Sequence, residues 1–476
     1  MLPEKMKAQS NVDRHLDLEA RKELEERQRL ASVKPSYLKR CSEYLFARVL
    51  ELYWTVTRLL GFAYWHEGSK DEQGELFVKR GQALLNFLLA ESPPVRAGAS
   101  VALEHKLLID MSQTLDVENK TGIQRLVWEV SKAALRRGSV PVIVKGDQLF
   151  GFVGEPTKLT EIETAKGDVF LIAGSWVGYP LELQAVMEKV SASGGSNIAI
   201  LCDLIPFFYP SLCGPNADRF IAWFDRILLR CDAIICISES VANDLINFIA
   251  SQRLPFKEHL QIGWQALGAD FSVAAGDNTR EISPQINTIC SNKTPFFLSV
   301  STLEPRKGYS VALDAIASLW KDGVDVRYVI VGRYGWRCNA LAQRIIAHPQ
   351  YGRCLFWLES ASDADLRHLY KQAHSLIFPS IAEGFGLALI EAAHHGLPAI
   401  ASDIPVFREI GGDSIRYFDV ADSDMLALRV RESLAAPKSA PSIPFLTWQE
   451  STESLLAMIE KGSYQFGELR KRAAAV

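Results

Sequence analysis

The sequence predicts an α/β protein built from two doubly wound units that follow one another along the chain. Three observations carry this. Short apolar runs alternate with helical stretches over most of the chain, the pattern of βαβ units around a parallel sheet. Several of these runs end in a glycine-bearing turn that opens a helix, as at Gly122 and at Gly384 and Gly386. Residues 271–294 are rich in Asp, Asn, Ser, Thr and Pro and read as a linker, which divides the series in two.

Size and composition agree with that reading. A chain of 476 residues exceeds one ordinary core, so two domains and an extension are expected. A hydrophobic content of 48% and a charged content of 23% are those of a globular protein. A net charge of -4 argues against a nucleic-acid binder, which needs a basic surface. Eight cysteines, at 41, 202, 213, 231, 236, 290, 338 and 354, contain no Cys-x-x-Cys pair. They read as reduced core thiols of a cytosolic protein, not as a zinc or redox motif. Residues 1–30 are charged, without the apolar segment of a signal peptide, and the chain has no apolar run of about 18 residues. A cytoplasmic location without a membrane span is therefore expected.

Residues 1–35, dominated by Glu, Lys, Arg and Gln, read as disordered or as a solvated helix. Residues 36–104 read as a helical extension. Its first part, 37–65, is apolar and aromatic but interrupted by Arg40, Arg48, Glu51 and Arg58; its second part ends at Ser92-Pro93-Pro94. Two roles stay open for it. Aromatics beside arginines suit peripheral contact with a membrane surface. The same stripe suits a hairpin packed on the body of the protein or on a partner.

The first domain is expected over residues 105–270. A strand at 106–111 is followed by a polar loop, and Thr121-Gly122-Ile123-Gln124-Arg125 opens a helix. Further strands are expected at 141–145, 168–173, 197–201 and 233–237, with a helix at 181–190. Ser238 or Ser240 caps a helix at 241–249. Ligands of such sheets lie beyond the C-terminal ends of the strands, which puts the loop around Gly122 in the wall of the site. Asp203, at the end of the 197–201 strand, either caps a turn or serves an acceptor hydroxyl, by contacting it or receiving its proton.

The second domain is expected over residues 295–440. A strand at 295–301 runs into Glu304-Pro305-Arg306-Lys307-Gly308 and a helix at 309–320. Two adjacent cations at a strand-to-helix turn suit a diphosphate, since arginine forms paired hydrogen bonds and lysine adds a point charge. A strand at 327–331 leads into the turn Gly332-Arg333-Tyr334-Gly335-Trp336, and strands follow at 355–358 and 399–403. The chain is organised around the strand at 375–378 and the stretch Pro379-Ser380-Ile381-Ala382-Glu383-Gly384-Phe385-Gly386-Leu387-Ala388-Leu389-Ile390-Glu391. A helix start offers free N–H groups and a positive dipole end to an anion. Gly384 and Gly386 allow close backbone approach. Ionised Glu383 and Glu391 only accept hydrogen bonds and so suit sugar hydroxyls. Phosphate donors and hydroxyl acceptors side by side point to a sugar nucleotide. The pairs Asp363 with Asp365 and Asp422 with Asp424 read as helix openings, so no metal site is expected. Residues 441–476 complete the chain as a helix, opening at Phe445-Leu446-Thr447-Trp448, and a tail.

The stretch with glutamates at 383 and 391 resembles the signature of the retaining glycosyltransferases of family 4. Arg306-Lys307-Gly308, the turn at Gly332 and Arg408-Glu409-Ile410-Gly411-Gly412 stand in that family's order. The resemblance covers residues 105–462 and is strongest over 295–412. It implies a GT-B fold: two Rossmann-like domains facing a cleft, with a last helix that crosses back onto the first. It also implies that Glu383 contacts the donor sugar, Glu391 the ribose, and Arg306 and Lys307 the diphosphate. Gly384, Phe385, Gly386, Leu387, Gly332, Arg333 and Gly122 would surround the nucleotide. Transfer would proceed with retention, without metal and without a cofactor beyond the nucleotide-sugar cosubstrate. The nearest subgroup, mannosyltransferases of O-antigen or capsule assembly, implies GDP-mannose as first donor, with other GDP-, UDP- and dTDP-sugars open. The acceptor would be a lipid-linked oligosaccharide or polysaccharide at the inner face of the cell membrane. Two positions depart from the pattern. Ala388 stands where many relatives carry proline, and Cys202 stands where they often carry histidine. A catalytically silent sugar-nucleotide-binding or scaffold protein of this fold remains an alternative, as does a phosphorylase or epimerase.

Overall fold

A computed structural model describes residues 105–112, 122–152, 159–174, 180–213, 217–268 and 282–469. The expected N-terminal extension and the first part of the expected linker lie outside them.

The first unit runs β1 (Leu107–Asp110), α1 (Gly122–Leu135), β2 (Val140–Lys145), β3 (Gln148–Phe152), β4 (Leu159–Glu161), β5 (Val169–Ile172), α2 (Pro180–Ala192) and β6 (Ser196–Leu201). It continues through α3 (Ile205–Phe208), α4 (Ala217–Arg230), β7 (Ala233–Cys236), α5 (Glu239–Gln252) and β8 (Gln261–Trp264). Strands β1, β2, β5, β6, β7 and β8 pair in parallel, and β3 and β4 extend the edge beyond β2 antiparallel. The chain moves from β1 outward to β2, then returns to β5 on β1's other side, so the direction of winding reverses at β1.

The second unit runs α6 (Pro284–Ser291), β9 (Phe296–Val300), α7 (Tyr309–Lys321), β10 (Arg327–Val331), α8 (Asn339–Ile346), β11 (Leu355–Leu358) and α9 (Asp363–Gln372). It ends with β12 (Ser375–Phe378), α10 (Leu387–His394), β13 (Ala399–Ser402), α11 (Pro405–Gly411), β14 (Arg416–Phe418) and α12 (Ser423–Ala435). Its six strands are all parallel, in the order β11-β10-β9-β12-β13-β14. Winding reverses between β9 and β12. Every residue of β12 and β13 is buried, as expected for strands covered by helices on both faces.

The final elements are α13 (Trp448–Lys461) and β15 (Gly467–Glu468). Thr447 and Glu450 form a capping box at the start of α13. Trp448, Leu455, Leu456 and Met458 then share a buried cluster with Ile109, Leu126 and Leu171 of the first unit. Strand β15 pairs antiparallel with β8, giving a nine-stranded first sheet. The last helix therefore crosses back as expected.

Several elements go beyond the sequence reading. Helix α4 buries Phe220, Trp223, Phe224, Ile227 and Leu228, a full i, i+3, i+4, i+7, i+8 stripe. The β2–β3 hairpin turns at Gly146-Asp147, with Gly146 at φ 63°. Within the stretch read as linker, Pro284–Ser291 is helical because Ile286 and Ile289 find places in the second unit's core. Ser238, not Ser240, caps α5: its side chain accepts the Val241 N–H. Both Asp-x-Asp pairs stand at helix starts, Asp365 in the capping box of α9 and Asp422 as the N-cap of α12.

Candidate functional site

Adjacent parallel strands deliver adjacent turns, and β9 and β12 lie on either side of the reversal in the second sheet. The turn after β9 carries Arg306 and Lys307 in one turn of 3-10 helix, closed by Gly308 at φ 67°. The turn after β12 carries Glu383. The two are stitched backbone to backbone, with Ile381 N–H donating to the Arg306 carbonyl at 2.7 Å. A Cβ on Gly308 would strike the Pro379 carbonyl, so this position requires glycine for both space and dihedral.

The side chains converge on Glu383. Lys307 Nζ lies 2.6 Å from its Oε1 and Arg306 Nη1 lies 3.1 Å from its Oε2. Ser380 Oγ donates to Oε1 at 2.7 Å. Arg306 is also held from behind, by Glu304 Oε1 at 2.8 Å from its Nε. Burial would raise the Glu383 pKa, but Lys307 and Arg306 outweigh it and hold the carboxyl below its ordinary value. Burial lowers the Lys307 pKa and Arg306 lowers it further, against Glu383. Burial works against the charge of Arg306 too, yet Glu383, Glu304 and Asp203 raise its pKa and keep it cationic. Burial raises the pKa of Glu304.

Eight residues on, Glu391 sits in α10, 7% exposed. Its Oε1 takes Arg125 Nη1 at 2.9 Å, and its Oε2 accepts the Tyr370 hydroxyl at 2.9 Å. Arg125 belongs to α1 of the first unit, so this ion pair crosses the cleft. Burial raises the Glu391 pKa, and Arg125 opposes it.

The opposite wall comes from the end of β6. Asp203 Oδ1 accepts the Ile205 N–H at 3.0 Å, the turn-capping contact open to a strand-end aspartate. Burial raises its pKa, and Arg306 acts against that rise from across the cleft. Burial pushes the Cys202 thiol up to about 12, which keeps it neutral.

Other expected residues take different places. A Cβ on Gly384 would strike the Cys202 carbonyl, and the Gly384 carbonyl accepts Ser238 Oγ at 2.7 Å. Its close approach is to the first unit's backbone. Gly332 likewise faces the Ser301 carbonyl and Gly386, at φ 122°, the Phe407 ring. These glycines allow close approach of chain to chain. Phe385 is buried in the cluster that contains Ile109, and Leu387 packs against that cluster. Arg333 is exposed at the turn after β10. The side chains beyond it lean across the cleft instead: Arg337 Nη1 donates to the Ser211 carbonyl at 2.9 Å and Trp336 Nε1 to Leu212 at 3.3 Å. Gly122 is the first residue of α1, three before Arg125.

Sequence reasoning missed Glu304, Ser380 and Tyr370. Glu304 was legible as a carboxylate two positions before a cation. Tyr370 was not, because only folding places α9 beside α10.

Two doubly wound units with an anion-suited turn at the strand ends facing a cleft define the GT-B class of glycosyltransferase fold. A sucrose-phosphate synthase from Thermosynechococcus elongatus shares this fold at a TM-score of 0.52, with 15% identity, over 78% of this chain and 100% of that one. Residues 282–443 match the model of the family of glycosyl transferases group 1. The chain is 34% identical over 375 residues to the serotype-specific mannosyltransferase WbdA of Escherichia coli, covering 74% of this chain and 44% of that protein. It is 30% identical over 226 residues to the O-antigen chain mannosyltransferase RfbU of Salmonella typhimurium, 46% of this chain and 56% of the other. It spans about half the length of the curated relatives it matches.

Proposed function

We propose that this chain transfers a hexose, mannose first, from a nucleotide sugar to a growing polysaccharide or lipid-linked oligosaccharide. The observation that carries this is the pairing of Lys307 and Arg306 with Glu383 at the winding reversal of the second sheet. On this reading the two cations, paired with a carboxylate, would receive the donor's diphosphate. A diphosphate would exchange for Glu383 on those cations and release its carboxylate to the hexose hydroxyls. Glu391 would accept from the ribose. GDP-mannose is the donor named by this reading; the names of the WbdA and RfbU relatives support its mannose.

Transfer would run with retention. The acceptor oxygen bonds to the anomeric carbon from the face the diphosphate leaves, the bond from that carbon to the phosphate oxygen breaks, and the acceptor proton passes to the departing phosphate. Arg306 and Lys307 would stabilise the charge developing on the leaving group from fixed positions. No enzymatic nucleophile, metal or further cofactor is needed for this sequence. Asp203 would accept a hydrogen bond from the acceptor. Among the described residues no helix is long and apolar enough to cross a membrane; peripheral contact at the inner membrane face, or a partner protein, would come through residues 37–90.

Incubating purified protein with radiolabelled GDP-mannose, UDP-glucose or dTDP-sugars and a lipid-linked oligosaccharide tests the reading. Label passing to the acceptor from GDP-mannose alone supports it. Donor binding with neither transfer nor hydrolysis would favour the silent alternative.

A further inference from the structure

Arg125 pairs with Glu391 across the cleft, and the surroundings of that pair make it more than a surface bridge. The carboxylate is 7% exposed and sits inside α10, one turn behind the Glu383 turn's helix start. Its two oxygens are taken by groups from different units: Arg125 of α1 on Oε1 and the Tyr370 hydroxyl of α9 on Oε2. The guanidinium carbon of Arg125 also lies 5.6 Å from the Trp448 ring centroid, on the helix that crosses back. Arg125 therefore touches the first unit's own helix, the crossing helix and the second unit's candidate ribose acceptor at once.

A carboxylate in such a position is a poor ionic acceptor if left alone. Burial favours its protonated form, and a protonated acid presents fewer lone pairs to a diol. Tyr370 donates a neutral hydrogen bond and brings no charge. Arg125 supplies the positive charge.

We propose that Arg125 is a cross-cleft positioning residue: it aims the Glu391 carboxyl into the closed cleft, so that a nucleotide's ribose diol docks on a preformed acceptor. The inference rests on the reading of Glu391 as the ribose contact and adds to it a residue from the opposite unit. It also gives closure a chemical purpose, since the acceptor is complete only when both units contribute to it.

The test uses the full chain and compares binding of GDP with that of 2′,3′-dideoxy-GDP by calorimetry, in wild type and in Arg125→Gln, Arg125→Lys and Glu391→Gln. Wild type is expected to favour GDP over the dideoxy form by about tenfold, the worth of one hydrogen bond to a charged group. Arg125→Gln should erase that preference while dideoxy-GDP binds as in wild type, and Arg125→Lys should restore part of it. Glu391→Gln should erase it as well. A full ribose preference retained in Arg125→Gln, or tighter GDP binding there, would overturn the proposal. Retention of the preference in Glu391→Gln would instead remove the ribose assignment on which it rests. Wild type binding neither nucleotide would remove the donor reading and the inference together. Circular dichroism melts of each variant separate these outcomes from misfolding, and the lysine variant keeps the test alive should glutamine destabilise the cleft.

Discussion

The two ends of the stretch from Pro379 to Glu391 carry the same side chain in opposite electrostatic circumstances. Glu383 is served by cations of its own unit, and they win over burial, so its carboxyl is held low. Glu391 is served by one cation from the other unit and by a tyrosine, and burial wins, so its carboxyl is held high. The first end is assembled by a single sheet, from turns that adjacent strands bring together. The second end exists only where the two units meet. Under the proposed function, a site split in this way would keep one half ready at all times and complete the other on closure.

Breaking the Glu383 end should have the largest effect. Lys307→Ala is expected to lower transfer by about 10²–10³-fold in kcat, as for loss of one preorganised charge-stabilising donor, with an unchanged fold by circular dichroism. Activity within a factor of two of wild type would detach the lysine from the chemistry. At the other end, Glu391→Gln is expected to raise the donor KM by about tenfold with a smaller change in kcat, as fits a contact made equally in ground and transition states.

Titration distinguishes the ends further. Glu383 has a depressed folded pKa, so the stability it contributes is fully present above its unfolded value of about 4.3 and is lost as pH falls through the lower folded value. The gap in melting temperature between wild type and Glu383→Gln should therefore be open at pH 7 and close as the pH falls below about 4. Glu391 has the opposite sign and cannot produce that pattern. For Asp203, raised by burial, the acid limb of kcat/KM should sit above the ordinary aspartate value and disappear in Asp203→Asn. The smallest effect concerns the contact that seats α11 on α5. Glu409 accepts the Glu239 and Ser240 N–H groups at 2.9 and 2.7 Å, a carboxylate cap supplied by the other unit. Glu409→Ala should cost about 1 kcal/mol of unfolding free energy, within the range for a lost cap.

Much of this was legible in the chain. The parallel strands announced themselves as short, wholly apolar runs, because burial on both faces leaves no alternation to obscure them. Arg306, Lys307 and Glu383 were readable because each lies in a turn directly after such a strand. The glycines were readable as positions needing space, but not for what. Gly384 makes room for the Cys202 carbonyl and Gly332 for that of Ser301, partners fixed by tertiary packing far away in sequence. Phe385 shows the same limit: its burial in a cluster with first-unit residues is fixed by packing that no local pattern encodes. The pairing of Arg125 with Glu391 spans 266 positions, and no local pattern encodes it.

A crystal structure of the full chain with GDP bound tests the central claim most directly. The account predicts the diphosphate at the turn after β9, with Lys307 Nζ and the Arg306 guanidinium moved from Glu383 onto phosphate oxygens. A diphosphate bound elsewhere, with Lys307 and Arg306 still clasped to Glu383, would contradict it.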